Sequence, residues 1–370
     1  VAQCYWSDTV PDNSAAYPAA TGELTADVVV IGAGFTGLSA ALHLAKDGID
    51  VLVLDAQFPG WGASGRNGGF CCLGGAKASS ATLVRQFGKS GLAGWRQAEQ
   101  DAVALVRDVL REHGIEADTH SQGETILAHN TRTARDLRND VAQVQAEYGV
   151  QATWHNGAVR AATSYGARVH GHSPVVGIAQ SGSGISVRTA KASIKTKRLI
   201  LATNGYSSDD LPPWMGGRYL PAQSNVLVTR PLTQAELDAA GWTSRQMASP
   251  QAEAGITARA RAHFERMFPA WRDVETPYGW SGMVCFSSNR VPYCGPVPDL
   301  PGAFAGFAYH GNGVAMGSYT GALLADLVQD KPTRHSYPSV MQADAPRFPL
   351  GRFRRALLPA GYALAGLRDL

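Results

Sequence analysis

Hydrophobic positions crowd into unbroken runs at Asp27 to Ile31 and Val51 to Leu54, and between them, from Leu38 to Lys46, they fall at helical spacing. Strand, helix and strand in that order predict a βαβ unit. Leu83 to His113 carries a long amphipathic pattern that stops at Gly114, a helix-ending residue. The period then shortens. Strands are expected at Glu124 to Ala128, Ala167 to Val169, Val175 to Ile178, Ile185 to Thr189, Ala192 to Thr196 and Arg198 to Ala202, with a glycine turn at Gly182 to Gly184. A helix is expected from Thr131 to Tyr148. Leu220 to Leu232 reads as strands with Pro221 and Pro231 at their margins, and Arg259 and Arg261 open a helix reaching about Met267. Ala315 to Gln329 reads as a helix of small residues. From Phe348 to Leu370, Leu350, Phe353, Leu357 and Leu358 share one side while Arg352, Arg354 and Arg355 lie elsewhere, which predicts a C-terminal amphipathic helix. Val1 to Glu23, polar with isolated aromatics at Tyr5, Trp6 and Tyr17, is expected to run extended over the surface. There is no internal repeat. Alternation early and strands in the middle predict a parallel dinucleotide domain interrupted by an antiparallel one, an α/β class that is α+β overall.

The βαβ unit contains the turn Gly32-Ala33-Gly34-Phe35-Thr36-Gly37, which has the G-x-G-x-x-G form. Gly32 permits the tight turn, Gly34 lets backbone N–H groups approach a pyrophosphate, and Gly37 lets the helix pack closely on the strand. The helix N-terminus then faces the diphosphate. Asp55 lies roughly 20 residues beyond the loop, where an acid hydrogen-bonds a ribose hydroxyl. Its charge disfavours a 2′-phosphate, hence NADP, at this position. An adenine dinucleotide is therefore expected. A second loop, Gly60 to Gly69, surrounds Ser64, Arg66 and Asn67 with glycines, and those three are placed to bind phosphates or a ring. A flexible turn is the plainer reading. Gly306 to Val314 is another glycine-rich turn opening a helix, hence a second place for a negatively polarised group.

Composition narrows the partners. A chain of 370 residues with 45% hydrophobic and 17% charged residues is globular and long enough for two domains. A formal net charge of +3, with scattered Lys and Arg, gives no footprint for nucleic acid. The five cysteines, two of them adjacent at Cys71 and Cys72, do not form a disulfide framework and fit a reducing cytoplasm. No run reaches the roughly 18 apolar residues of a transmembrane helix, and the N-terminus lacks a signal-peptide pattern. The Arg-bearing C-terminal segment is expected to dock on its own domain rather than on a membrane.

DVVVIGAGFTGLSAALHLA, WGASGRNGG, LATNGY and GFAYHGNGVAMGSYTG, in that order, resemble the FAD-dependent amine oxidases of the D-amino acid oxidase superfamily. WGASGRNGG and the lead-in with Tyr5 and Trp6 look most like the branch containing gamma-glutamylputrescine oxidoreductase. The resemblance implies a Rossmann-like FAD-binding domain built from 1–114, 160–210 and 285–347. It also implies a discontinuous antiparallel-sheet substrate domain from 115–159 and 211–284, with 348–370 as the C-terminal amphipathic helix. It would have Gly32, Gly34 and Gly37 hold the pyrophosphate and Asp55 the ribose. Ser64, Arg66, Asn67, Gly68 and Gly69 would follow the diphosphate towards the flavin, and Val176 would sit by the adenine. Ala202 and Gly205 would lie near the cofactor, with His310, Gly311, Asn312, Gly313 and Val314 by the pyrimidine end of the ring. Relative to the family, the chain looks shortened at Asn156 to Ala162 and at Gln251 to Arg259, and the resemblance assigns no residue here to the lysine thought to assist oxygen in some relatives. Segments missing from the sequence would leave a Cα gap at those junctions.

FAD is expected to be non-covalent, because neither Cys71 nor Cys72 occupies the late position where relatives attach it. The cofactor does the redox chemistry, so the chain orients a C–N bond at flavin N5 and keeps the amine neutral. No acid or base motif with catalytic spacing is visible, which fits hydride transfer. His310 either hydrogen-bonds flavin or substrate or caps the following helix. Tyr219, Gln223 and Trp280 either cage an amine or pack the core. The substrate is a small-molecule amine, either a polyamine derivative such as gamma-glutamylputrescine or an amino acid, and oxygen or another electron acceptor reoxidises the flavin. Two alternatives stand: a sarcosine- or glycine-oxidase-like enzyme using Arg218, Arg230 or Arg290 to bind a carboxylate, and a flavin-binding subunit without turnover. No second G-x-G-x-x-G follows a strand, which weighs against a pyridine-nucleotide dehydrogenase.

Overall fold

In chain order, the computed structural model has α1 (Tyr5–Thr9), β1 (Gly22–Ile31), α2 (Phe35–Lys46), β2 (Val51–Leu54), α3 (Ser80–Glu112), β3 (Glu124–Leu127) and β4 (Arg168–His170). There follow β5 (Val175–Ser181), β6 (Gly184–Thr189), β7 (Ala192–Leu201), β8 (Leu220–Val228), α4 (Gln234–Ala239) and β9 (Met247–Pro250). The last are β10 (Tyr278–Phe286), β11 (Tyr293–Pro296), β12 (Ala303–Phe307), α5 (Ala315–Leu327) and α6 (Ser339–Gln342). The structure describes residues 4–9, 17–117, 124–127, 147–148, 167–182, 184–239, 247–250, 261, 264–265 and 268–359. Nearly all of the helix expected at Thr131 to Tyr148, and both apparently shortened stretches, lie outside them.

The main sheet runs β11-β12-β7-β1-β2-β4, with β6 and β5 extending from β7. From β12 to β4 every pairing is parallel, whereas β5, β6 and β7 form an antiparallel meander. The unbroken apolar runs of β1 and β2 follow from their place at the centre. Val29, Val30, Leu52 and Val53 are fully buried between two cores, one under α2, α3 and α5, the other on the opposite face.

Helices α2 and α5 touch through small residues. A Cβ on Gly321 would meet Thr36 O at 2.4 Å, and Ser39 Oγ donates to Ser318 O at 2.6 Å. The small-residue composition of α5 is thus the condition for its close approach to α2. Helix α3 bends at Gly88, whose φ of 72° breaks the helical path.

A second sheet pairs β8 with β10 antiparallel, and β3 pairs with β9 in parallel. Two expectations need correction. The strands read as Ala192 to Thr196 and Arg198 to Ala202 are one strand, β7, which pairs with β6 in its first half and β12 in its second. The polar interruption is Thr196 Oγ1, which donates to Asp27 O and Arg198 O. The lead-in expected to run extended forms, among its described residues, the helical turn α1 at Tyr5–Thr9. Of the segment expected as a C-terminal amphipathic helix, the described part holds a 3₁₀ turn at Gly351–Ala356 that passes into helical residues 357–359. It is pinned by Arg354, which donates to Tyr219 O and forms two bonds with Asp209.

Candidate active site

One continuous cavity of about 1080 Å³ opens at the C-terminal ends of β1, β2 and β7, where Ile31, Leu54 and Leu201 line it. In a parallel sheet this is where the strand order reverses and ligands bind. The volume is at the upper end for small-molecule sites and gives room for a dinucleotide together with a second reactant.

The turn after β1 is shaped by steric limits. Gly32 has φ 103°, and a Cβ there would meet Ala202 O at 2.8 Å. A Cβ on Gly34 would meet Ser64 Oγ at 2.7 Å. Gly37 does not line the cavity. A Cβ on it would lie 1.8 Å from Gly32 O, so it serves the packing of α2 on its own turn. Asp55 fixes the turn as well as facing the cavity, since its Oδ2 accepts from Ala33 N at 2.7 Å and its Oδ1 from Gln57 N at 2.9 Å.

Two helix N-termini converge here. Gly34, Phe35 and Thr36 of the α2 start and Gly313 and Val314 of the α5 start line the same space. The first residues of both helices form part of the cavity wall, so both positive dipole ends stand at it, with Phe35 N of α2 already taken by Ser64 Oγ.

The loop Gly60 to Gly69 is held from several sides. Ser64 Oγ accepts from Phe35 N at 3.0 Å, Asn67 Nδ2 donates to Ser64 O at 2.5 Å, and Gly69 N donates to Asn67 Oδ1 at 2.6 Å. Arg66 Nε donates to Trp61 O at 2.9 Å, with its guanidinium 4.7 Å from the Trp61 ring centre. The loop's own carbonyls accept from two distant tryptophans: Trp6 Nε1 to Asn67 O at 2.8 Å and Trp280 Nε1 to Arg66 O at 3.0 Å. Ser64, Arg66, Asn67 and Gly68 line the cavity; Gly69 is buried behind them.

The remaining expected residues divide. Ala202, Gly311, Gly313 and Val314 line the cavity. Gly205 and Asn312 do not: Gly205 lies against Met283, and Asn312 Nδ2 donates to Cys72 O at 2.7 Å. Val176 is 53% exposed, and Val175 lines the cavity in its place, because successive strand residues face opposite sides.

The catalytic expectations for Tyr219 and Trp280 are corrected: neither lines the cavity. Tyr219 donates to Ser207 O beneath the Arg354 guanidinium, and Trp280 braces the glycine loop. Arg218, Arg230 and Arg290 do not line it either. Arg218 lies over Trp214 and donates to Ala345 O, and Arg230 is paired with Glu236.

His310 does line the cavity, yet both its ring nitrogens are engaged. Nδ1 lies 3.0 Å from Gly75 O, a pure acceptor, so Nδ1 carries the proton and Nε2 accepts from Ser287 N at 3.3 Å. Burial, reinforced by Lys77, pushes its pKa down to about 4. A neutral imidazole held at both ends ties the loop at Gly75 to the residue that follows β10 and has both ring nitrogens engaged. Cys285, also in the lining, is pushed up to about 12 by burial and remains a thiol.

Sequence reasoning missed much of the wall. Trp61, Phe70, Tyr206, Met283, Phe268 and Trp271 line the cavity. Phe264, Phe268 and Trp271 recur at spacings of four and three, a one-sided helical signature that could have been read. Trp61 lies within the glycine loop already singled out and Phe70 directly follows it, whereas Tyr206 and Met283 come from separate segments and share no sequence signal.

The chain matches the family described as FAD dependent oxidoreductase over residues 27–160 and 155–327. It is 27% identical to a probable oxidoreductase OrdL of Rhizobium meliloti, over 99% of this chain and 97% of the relative. That alignment runs to 425 positions against 370 residues, so the relative carries residues that this chain lacks. Gamma-glutamylputrescine oxidoreductase of Escherichia coli is 26% identical, over 94% of this chain and 93% of that protein. Among solved structures, glycine oxidase from Geobacillus kaustophilus superposes with a TM-score of 0.66 at 18% identity, covering 87% of this chain and all of that one. That likeness is one of fold.

Proposed function

The chain belongs to the FAD-dependent oxidoreductase family, and from that premise we propose that it oxidises the C–N bond of an amine held between FAD and the β8–β10 sheet. FAD, when bound, supplies the acceptor for the two electrons that leave the C–N bond. The residues of the cavity fit that group. The glycine cradle has no room for a Cβ, two helix N-termini suit a diphosphate, and the space continues past the loops to β8 and β10.

In this reading Gly32, Gly34 and the start of α2 take the pyrophosphate, with Gly37 allowing α2 its approach. Asp55 takes the adenosine ribose. Ser64, Arg66, Asn67 and Gly68, supported by Gly69, lead towards the ring, whose pyrimidine end faces Gly311, Gly313 and Val314. The main sheet with its helices forms the cofactor domain, and β8, β9 and β10 belong to the substrate domain.

The observation that carries the proposal is the continuity of one cavity from the G-x-G-x-x-G turn to the β8–β10 sheet. An amine entering it leaves water for walls such as Val226, Val228 and Met283, which lowers the pKa of an ammonium and leaves the nitrogen lone pair free. The amine then loses two electrons and two protons and becomes an imine, which water splits to a carbonyl compound and an amine or ammonia. Oxygen taking the electrons gives hydrogen peroxide; a carrier taking them makes the enzyme a dehydrogenase. The relative named gamma-glutamylputrescine oxidoreductase supports an amine at the end of a carbon chain.

The FAD-loaded protein should lose its yellow colour under anaerobic conditions with a reactive amine, and recover it with oxygen or a dye acceptor. Absence of bleaching across a broad amine panel would leave the flavin-binding subunit without turnover as the correct reading.

A further inference from the structure

Beyond the glycine loops the cavity ends in a pocket of apolar rings. Val226 and Val228 of β8, Leu232 after it, and Phe264, Phe268 and Trp271 line this end. Phe268 and Trp271 stack with centroids 4.4 Å apart and planes at 21°, and Phe264 lies 5.6 Å from Phe268. Trp271 Nε1 donates to Glu236 O at 2.7 Å, so the polar edge of the indole is engaged with α4.

Two ion pairs stand near this end among the described residues, Arg230–Glu236 and Arg261–Glu265. Arg230 binds both carboxylate oxygens of Glu236, at 2.7 and 3.1 Å, and Glu236 also accepts from Thr233 N at 2.8 Å. Arg261 donates to Glu265 and to Val274 O, each at 2.7 Å. Among the described residues, the charged side chains lining the whole cavity are Asp55, at the end of β2, and Arg66, in the glycine loop against β10.

We propose that the amine oxidised here carries its C–N bond on an apolar, aryl-bearing skeleton, and that Phe264, Phe268 and Trp271 receive the aryl group. The proposal rests on the amine-oxidising reading above and names its substrate class. An aryl group at this end gains burial and ring contacts, whereas a carboxylate or second ammonium would be desolvated there with no lining counter-charge among the described residues of this end. A single ammonium is tolerated because it can shed its proton, and the neutral amine is the form that reacts.

The test uses the FAD-loaded protein with 2-phenylethylamine, N-methylbenzylamine, methylamine, putrescine, sarcosine and D-alanine, read by anaerobic bleaching and kcat/KM. The aryl amines should exceed putrescine, sarcosine and D-alanine by about tenfold or more. Phe268→Ala should lower the ratio of 2-phenylethylamine to methylamine by about tenfold; Phe268→Leu serves if the alanine variant does not melt cooperatively. If putrescine, sarcosine or D-alanine leads, the substrate class is wrong and amine oxidation stands. If no amine bleaches the flavin, the underlying reading fails as well. A ratio unchanged in the folded Phe268 variant would overturn the assignment to the ring pocket.

Discussion

At the scale of single residues, the glycines of the first turn are fixed by distances that a methyl group cannot meet. Gly37 is the extreme case, with its imagined Cβ 1.8 Å from Gly32 O and 3.0 Å from Gly32 C. The obstacle is backbone, which cannot rotate away. Gly37→Ala should therefore cost about 3 kcal/mol of stability and leave the purified protein largely colourless. Urea unfolding and the flavin-to-protein absorbance ratio read the two effects, and a fully yellow variant of normal stability would contradict the close packing of α2. These glycines and Asp55 were legible because the G-x-G-x-x-G turn is local chemistry. Tyr219 and Trp280 were misjudged because an aromatic residue in a substrate domain looks alike in sequence whether it faces a ligand or braces a loop.

At the scale of elements, the lead-in expected to run extended over the surface forms α1 at Tyr5–Thr9 and does structural work. Trp6 of α1 donates to Asn67 O, Tyr5 meets Tyr278 edge-to-face at 5.4 Å, and Cys4 is buried beside Gly65. The N-terminal segment therefore ties the second glycine loop to β10. Trp6→Phe keeps the ring and removes the donor. It should cost about 1 kcal/mol, read as roughly fivefold weaker FAD binding in a fluorescence titration; an unaltered affinity would show that the loop holds its shape without α1. At the other end of the chain, the described part of the segment after Phe348 is docked on the protein through Arg354. Arg354, counted there as part of a polar face, is 1% exposed and stacked over Tyr219. A helical wheel cannot foresee that an arginine will be buried by a carboxylate from a distant turn, here Asp209.

For the whole molecule, two buried histidines set the expected response to acid. His43, in α2 with Nδ1 2.8 Å from Ser39 O, and His310 are both pushed down to about 4, chiefly by burial. Arg334, His335 and Lys46 act in the same direction on His43, as Lys77 does on His310. In the unfolded chain an imidazole titrates near 6.5. Below that pH the unfolded state takes up protons that the folded state refuses, so stability falls from about pH 6.5 towards 4 and is independent of these groups above it. The loss approaches on the order of 3 kcal/mol for each histidine. The urea midpoint should be level above pH 7 and drop steadily between 6.5 and 4.5; a level midpoint across that interval would mean that these imidazoles are hydrated in the native state.

The sequence by itself determined the parallel unit around β1, α2 and β2, the FAD-type turn with Gly32, Gly34 and Asp55, and the second helix start at Val314. Each depends on residues close together in the chain, where backbone geometry and apolar period leave few alternatives. Only the tertiary structure decided what surrounds the reacting amine. The ring pocket, the neutral and doubly held His310 and the placing of Arg218, Arg230 and Arg290 outside the cavity lining depend on how β8, β10, Phe264, Phe268 and Trp271 meet the glycine loops. Contacts between residues so far apart depend on how whole elements pack, and a local pattern carries no record of that.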